Sequence, residues 1–219
     1  MIDFNKMIER HLEREHKPKN IGRYYPSEIG GCMRKTWYSY KYPQQIDIEL
    51  AKIFEVGNIV HGFVVEVLKS EKNKDIELLK TEMPFKIELE DFVISGRIDD
   101  LILIKENGKS ILIEVKSTKS LDFVKKAGES HAMQLMLYMH ATGIHNGVVL
   151  YVDKNNLQSK VFEVPYSEKE SMEILQRFKN LHSYLKNGLL PIAEAKKSAE
   201  KSWLCKFCEY SEKCGKNEE

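Results

Sequence analysis

The sequence has few cysteines, almost no net charge and no long apolar run. The last two features argue against a globally basic DNA-binding protein and against a membrane-spanning one. With 34 basic and 33 acidic residues its formal net charge is +1, so any DNA-binding face has to be a local patch. No segment approaches the roughly 20 consecutive apolar residues that cross a bilayer, and the first ten residues lack the apolar region of a signal peptide. No helicase-type phosphate loop, Gly-x-x-x-x-Gly-Lys-Ser/Thr, occurs either. We therefore expect a cytoplasmic protein without a membrane partner and without ATP-driven unwinding.

The few cysteines are unevenly placed. Cys205, Cys208 and Cys214 fall within ten residues, and Cys32 is the only other cysteine. In a reduced compartment, clustered thiols indicate metal ligands rather than disulfides. Cys32 is the obvious fourth ligand, either of a tetrahedral zinc ion or of a cubane iron–sulfur cluster, and the spacing does not choose between them. Either centre would close a very long loop, so its main role would be structural.

The most informative segment consists of two apolar runs on either side of Asn107-Gly108, a pattern that predicts a β-hairpin. A two-residue turn at this point sets Asp99 opposite Lys116 and diagonal to Glu114, with all three side chains on one face. Roughly 7–8 Å would then separate the backbones of Asp99 and Glu114, near enough for both carboxylates to reach one cation. The register of the hairpin is therefore a testable premise.

Both faces of this hairpin carry apolar side chains, which argues against an ordinary solvated strand. Charges in a strand that is covered on both faces are costly unless they are paired or bind a metal. The face of Glu114 and Lys116 also carries Leu101, Leu103 and Leu112, and the opposite face carries Ile98, Ile102, Ile104, Ile111, Ile113 and Val115. Asp100 points toward the apolar side in this register, which the pattern does not explain. A metal site is favoured over a solvated face.

The donor types indicate the chemistry of such a site. Oxygen ligands such as Asp99 and Glu114 suit Mg²⁺ or Mn²⁺, which polarises a phosphate and acidifies bound water. Lys116, on the same face, can orient that water or stabilise developing negative charge. The hairpin therefore predicts a metal ion held against a phosphate.

The remaining pattern predicts an α/β fold. Strand, helix and strand follow one another between Ile111 and Val152, which favours a parallel crossover and hence a mixed sheet. At 219 residues the chain suits one well-filled core. Expected strands cover residues 83–89, 92–95, 97–104, 111–117, 147–152 and 160–164, and the longer expected helices cover 48–70, 121–142 and, after a capping box, 167–186.

Several short motifs together resemble a known family. Gly96-x-x-Asp99, a hairpin and then Glu114-Val115-Lys116 resemble the signature of the PD-(D/E)XK nucleases. Gln134-Leu-Met-Leu-Tyr138 and Gly57-Asn-Ile-Val-His61 are similar to motifs of the RecB-type branch. The cysteines and the segment Ser27–Tyr38 resemble the iron–sulfur members of that branch, closest to the CRISPR-associated exonuclease family. Each motif is weak alone, but their order and spacing from Tyr25 to Cys214 are specific.

The resemblance implies a fold and a domain plan. The fold is a restriction-endonuclease-like α/β core, a mixed sheet flanked by helices, with the N- and C-terminal segments joined by an iron–sulfur cluster. Residues 1–219 would form a single RecB-type domain, with a nuclease core at 49–189 and a cluster-binding region at 1–48 plus 190–219. The resemblance selects [4Fe–4S] over zinc and assigns it to Cys32, Cys205, Cys208 and Cys214.

The resemblance also implies roles for individual residues. It gives the Mg²⁺ or Mn²⁺ ligands as His61, Asp99, Glu114 and the main-chain carbonyl of Val115, and the catalytic residues as Asp99, Glu114, Lys116, Gln134 and Tyr138. Gln134 would bond at the active site and Tyr138 would contact the DNA backbone. The residues alone also allow purely structural roles. His61 would then be an ordinary helical histidine, and Tyr138 would be a core residue with Gln134 at the polar edge of the core. Lys119, Lys125 and Lys126 are candidate phosphate contacts or a solvated face.

The function expected from this resemblance is a metal-dependent DNA exonuclease that processes spacer precursors in CRISPR adaptation with integrase partners. Its substrate would be single-stranded or end-containing DNA. Alternatives are a stand-alone RecB-type nuclease of repair or of a mobile element, a non-catalytic DNA-end-binding module, and a zinc-stapled adaptor. The sequence does not indicate cleavage polarity or oligomeric state.

Overall fold

The protein is built around a mixed β-sheet with helices on both faces. The computed structural model describes residues 2–13 and 18–216, and within them the chain forms seven α-helices and six strands. In chain order these are α1 (Phe4–Leu12), β1 (Arg23–Tyr24), α2 (Met33–Lys41), α3 (Ile48–Lys69), β2 (Ile76–Glu88), β3 (Val93–Ile104), β4 (Lys109–Thr118), α4 (Glu129–Thr142), β5 (Asn146–Asp153), β6 (Ser159–Pro165), α5 (Glu168–Asn187), α6 (Glu194–Lys197) and α7 (Ser211–Lys216), with 3₁₀ turns at Pro26–Glu28 and Ser202–Phe207.

Strand order confirms the predicted mixed sheet. The order is β1-β3-β4-β5-β6, and β2 pairs with the other edge of β3. β4 and β5 are parallel and are joined through α4, whereas β2–β3, β3–β4 and β5–β6 are antiparallel. None of the helices in the described ranges is both long and apolar enough to cross a membrane.

Helix ends follow local chemistry, with one correction. α5 begins after Ser167, whose hydroxyl accepts from the Glu170 N–H as the capping box predicts, and ends at Gly188 with φ +69°. The helix predicted over 121–142 is wrong in its first eight residues, because α4 begins only at Glu129. Side chains of Ser120 and Asp122 bond within the loop, and Lys160 donates to two of its carbonyls. The separate strands predicted at 92–95 and 97–104 form the single strand β3.

Two apolar clusters lie on opposite faces of the sheet. The larger one packs the sheet against α2, α4 and α5, and the smaller one packs it against α3. A Cβ at Gly147 would lie 2.9 Å from the Met139 sulfur, so glycine lets α4 approach β5. A Cβ at Gly30 would lie 2.3 Å from the Ser130 Cα, so the loop before Cys32 rests directly on the start of α4. α4 therefore packs against the sheet through its second half and against the cysteine loop at its start.

Candidate active site

The hairpin between β3 and β4 has a different register from the predicted one. Its loop contains four residues rather than two, since Ile104 pairs with Lys109 and Leu101 pairs with Leu112. The Gly108 N–H donates to the Ile104 carbonyl, and the Asn107 side chain accepts from the Lys109 N–H. Asn107-Gly108 are thus the last two residues of a four-residue loop, and this side-chain bond stabilises its end. The register is shifted by two residues, and an even shift keeps each side chain of β4 on its predicted face.

β3 is irregular where the two acids lie. The pairs Met83–Ile98 and Thr81–Asp100 flank this point, and Glu82, between them on β2, has φ +49°. Ile98 packs in the larger cluster and Ile102 in the smaller one, so the predicted common face of these two side chains is wrong. Regular alternation breaks at Asp99 and Asp100, although β2 and β3 keep one register on both sides of this point.

β3 and β4 separate immediately beyond this irregularity. Their ladder ends at the pair Asp100–Ile113, and β4 continues to Thr118 paired only with β5. The Val115 N–H donates instead to the Asp99 carboxylate, at 2.8 Å. Asp99 thus replaces a missing backbone acceptor at the point where the strands separate.

Three side chains from three elements meet beside Asp99. His61 of α3, Glu82 of β2 and Asp99 of β3 offer ligand atoms that all lie within 4.8 Å of one another. His61 Nδ1 is 3.5 Å from Glu82 Oε1, and the other oxygen of Glu82 is 2.9 Å from an Arg97 nitrogen. One nitrogen and two carboxylates form a donor set that suits Mn²⁺ or Mg²⁺. Sequence reasoning missed Glu82; Pro84, two residues later in an edge strand, was the available sign of irregularity.

Glu114 is placed beside this trio rather than within it. Its side chain is fully buried, and the Lys116 ammonium lies 2.5 Å from its Oε1. Burial raises the pKa of Glu114 to about 7, with the charge of Asp99 adding to the rise and Lys116 opposing it. Burial also raises the pKa of Asp99, against the Val115 hydrogen bond. Two desolvated carboxylates with raised pKa values, one of them raised further by the charge of the other, are the arrangement that a bound cation relieves, so the donors present fit a divalent metal.

The buried acid makes the stability of the metal-free protein depend on pH. With a pKa near 7 in the folded state and 4.5 in the unfolded one, Glu114 contributes stability below pH 4.5, and this contribution is lost as the pH rises through 7. Glu114→Gln should therefore reduce the drop in Tm between pH 5 and pH 8 by roughly 5 °C or more. Thermal melting in EDTA at both pH values measures this drop. An identical drop in wild type and variant would contradict the assigned burial penalty.

Asp100, whose position the sequence pattern did not explain, lies on the face of the sheet that α3 covers. There it faces His61. It is fully buried, and its Oδ2 lies 3.4 Å from His61 Nε2. The nearby Asp100 carboxylate raises the pKa of His61, although burial acts in the opposite direction. His61 is therefore held between acids on both ring nitrogens rather than being an ordinary helical histidine.

Gln134 and Tyr138 lie on the face of α4 that covers the sheet. Both are buried, and the Gln134 amide donates to the Tyr138 hydroxyl at 2.6 Å. The Tyr138 ring packs edge-on against Phe85, and burial followed by the charge of Glu114 raises its pKa. With 2% of its surface exposed, Tyr138 fits the core interpretation better than a direct contact with DNA. The catalytic roles of both residues stay predictions.

The three lysines proposed as phosphate contacts lie on or beside the loop that follows β4. Lys119, Lys125 and Lys126 are all exposed. Phe123, in the same loop, is 88% exposed. Exposure suits a phosphate contact and a solvated face equally, so this assignment also stays a prediction.

Comparison with known proteins identifies the family. The model of the PD-(D/E)XK nuclease superfamily matches residues 9–215. The chain belongs to the PD-(D/E)XK nuclease superfamily. The motif resemblance is thus confirmed at this level, and Gly96-x-x-Asp99 with Glu114-Val115-Lys116 lies where the strands separate in this nuclease-family fold.

Individual relatives of this PD-(D/E)XK protein agree with that assignment. The chain is 24% identical over 216 residues to the CRISPR-associated exonuclease Cas4 of Saccharolobus solfataricus, covering 95% of this chain and 94% of the relative. The solved structure of SSO0001 superposes with a TM-score of 0.64 at 24% identity, covering 94% of this chain and 91% of that one. The alkaline exonuclease of Laribacter hongkongensis has a TM-score of 0.55 at 13% identity, covering 77% and 90%. These structures confirm the predicted fold.

Outside the nuclease site, all four cysteines of this PD-(D/E)XK protein line one cavity of about 370 Å³. Cys32 directly precedes α2. Cys205 lies in the second 3₁₀ turn, Cys208 directly follows that turn, and Cys214 lies in α7. All four are half-buried and none forms a disulfide. Within the described residues, no three of these sulfurs lie within 4.8 Å of one another. The four cysteines therefore border one cavity, but they are further apart than the ligands of a single ion, and their role as a ligand set stays a prediction.

Direct contacts also join the two ends of the chain around this cavity. Arg177 of α5 binds both oxygens of Glu194 in α6, at 2.9 and 3.0 Å, and one of these oxygens accepts from the Met33 N–H. Arg34 donates to the Pro191 carbonyl at 2.6 Å and reaches the Cys214 sulfur at 3.7 Å. The segments before α3 and after α5 are thus joined by the protein's own contacts.

Proposed function

We propose that this chain is a divalent-metal-dependent DNA exonuclease that trims spacer precursors during CRISPR adaptation. The observation that carries the proposal is the meeting of His61, Glu82 and Asp99 beside the buried Glu114–Lys116 pair. Membership of a nuclease superfamily supports phosphodiester hydrolysis. Similarity to the CRISPR-associated exonuclease Cas4 over 95% of the chain supports the exonuclease activity and an association with CRISPR. Single-stranded or end-containing DNA would be the substrate, and the integrase proteins the partners.

The residues of the site divide the work. His61, Asp99, Glu114 and the main-chain carbonyl of Val115 would hold Mg²⁺ or Mn²⁺, with Glu82 as a further donor. The bound ion would polarise the scissile phosphate and lower the pKa of its water. Lys116 neutralises Glu114 and is placed to orient that water or to stabilise the charge that develops on the phosphate. Gln134 holds the Tyr138 hydroxyl by a hydrogen bond within α4, the helix that packs on the sheet carrying Glu114.

The cysteine cavity would hold a [4Fe–4S] cluster with a structural role. A tetrahedral zinc ion with bonds of about 2.3 Å brings its thiolates to roughly 3.8 Å from one another. In the described residues no three of the four sulfurs lie within 4.8 Å of one another, which does not fit a zinc ion, and the resemblance to the iron–sulfur nucleases favours the cluster. The cluster would bind residues 1–48 and 190–219 to the nuclease core at 49–189, which together form one domain. Buried residues from all three segments share the larger apolar cluster, which supports this plan.

Two other functions remain to be distinguished by experiment. A stand-alone RecB-type nuclease of repair or of a mobile element would use the same site, and the genomic neighbourhood separates it from an adaptation nuclease. A non-catalytic DNA-end-binding module has no need for an intact Asp99, Glu114 and Lys116. The retention of all three favours an enzyme.

A time course on end-labelled DNA tests the proposal. Wild-type protein with Mg²⁺ or Mn²⁺ should shorten labelled linear strands progressively and leave a covalently closed circle of the same sequence intact. EDTA should stop the reaction. Binding of the linear strand without any product would instead support the non-catalytic module, and cleavage of the circle would refute a purely exonucleolytic activity.

A further inference from the structure

Asp100 is a buried carboxylate whose cost to the fold needs a reason. It has no exposed surface, and its side chain lies on the face of the sheet that α3 covers. The smaller apolar cluster surrounds this region, with Val60, Val64, Ile102 and Ile113 among its members. Among the described residues, neither of its oxygens has a hydrogen-bond partner of good geometry. A carboxylate placed this way is costly, so a structural role alone does not account for it.

The nearest polar group to this carboxylate is the ring of His61. His61 Nε2 lies 3.4 Å from Asp100 Oδ2, and this nitrogen is buried without another partner in the described part of the chain. The other ring nitrogen, Nδ1, lies 3.5 Å from Glu82 Oε1, on the side of the proposed metal donors. The two nitrogens therefore face two different partners, one inside the fold and one at the site.

This geometry matches a common device of metal sites. A histidine that binds a metal through one nitrogen usually donates its other N–H to a carboxylate, which fixes the tautomer and the orientation of the ring. We propose that Asp100 is a positioning residue that keeps the His61 proton on Nε2 and turns Nδ1 toward the divalent cation. The proposal deepens the proposed nuclease function and rests on its metal site.

The positioning role and a structural role predict opposite results for Asp100→Leu. If Asp100 serves the metal, an apolar residue of similar size should leave the Tm of the metal-free protein unchanged or higher. The affinity for Mn²⁺ should fall about 10- to 100-fold. If Asp100 serves the fold, Tm should fall and the affinity of the folded protein should not. Asp100→Asn, which keeps an acceptor oxygen, should lose less affinity than Asp100→Leu.

Three readouts on the full chain decide between these roles. Mn²⁺ affinity is measured by the EPR signal of the free ion, Tm by melting in EDTA, and the tautomer of His61 by its ¹⁵N shifts without metal. Asp153→Asn is the matched control, because Asp153 is buried in β5 and bonds to the Asn155 N–H away from His61. It should keep the Mn²⁺ affinity. In a His61→Ala background, Asp100→Leu should cause no further loss of affinity.

Each result either supports or overturns the role of Asp100. Wild type with the proton on Nε2, and Asp100→Leu with mixed tautomers and weaker Mn²⁺ binding, support it. Equal Mn²⁺ affinity in wild type and a folded Asp100→Leu overturns it and leaves the nuclease proposal standing. Failure of wild type to bind Mn²⁺ at all overturns the metal site, and the positioning role with it.

Discussion

Glu114→Ala is expected to abolish DNA cleavage, with a loss of roughly 1,000-fold or more in rate. Glu114 is the fully buried acid of the site, and it contacts Lys116 while sharing its surroundings with Asp99. Removing it deletes a proposed metal ligand and leaves the lysine without its carboxylate. Rates with Mg²⁺ and with Mn²⁺ on an end-labelled single strand measure the effect.

The control for this prediction lies in the same hairpin. Glu106 is exposed in the β3–β4 loop, so Glu106→Ala should cleave at the wild-type rate. Thermal melting of Glu114→Ala in EDTA at pH 5, where the buried acid of wild type is neutral, should show a folded protein with a Tm close to that of wild type. Cleavage by a folded Glu114→Ala protein at more than a tenth of the wild-type rate would remove Glu114 from the mechanism.

Cys208→Ser is expected to have the second largest effect, on stability rather than on chemistry. Cys208 packs against the larger apolar cluster and lines the cavity shared by all four cysteines. Loss of one thiolate ligand should release the proposed [4Fe–4S] cluster, and with it the link between the two ends of the chain. We expect loss of the broad visible absorption band that an iron–sulfur cluster gives, and a fall in Tm of roughly 10 °C or more.

Lys206→Ser is the matched control for the cysteine variant. Lys206 lies between Cys205 and Cys208, is exposed and does not line the cavity, so the same new side chain two positions earlier should leave iron content and colour unchanged. Iron and zinc analysis of anaerobically purified protein completes the measurement. A colourless wild type with one zinc per chain would reverse the assignment of the cysteine centre.

The parts of the fold that follow local rules could be predicted from the sequence. The capping box at Ser167, the long helix from Ile48 and the parallel crossover after β4 all depend on side chains close in sequence. The hairpin was predicted, but its register was not. The loop has four residues and ends with a hydrogen bond to the Asn107 side chain, so the register is shifted by two residues. The side chains of β4 nevertheless lie on the predicted faces of the sheet.

The site itself was only partly predictable. Asp99, Glu114 and Lys116 were found from their spacing, and His61 only through its family resemblance. Glu82 was missed because it reaches the site through an edge strand that is distorted at this residue, and the local sequence does not specify a positive φ at a glutamate. Asp100 broke the expected alternation at the same place, and its partner His61 lies on a helix far from it in sequence.

The most direct test of the central claim is anomalous diffraction at the manganese edge from crystals soaked in Mn²⁺. The account predicts a strong peak within ligand distance of His61 Nδ1 and of carboxylate oxygens of Asp99 and Glu114, lost in Glu114→Ala crystals. No peak at this place in crystals that bind Mn²⁺ elsewhere, or a peak that persists unchanged in the Glu114→Ala crystals, would contradict it.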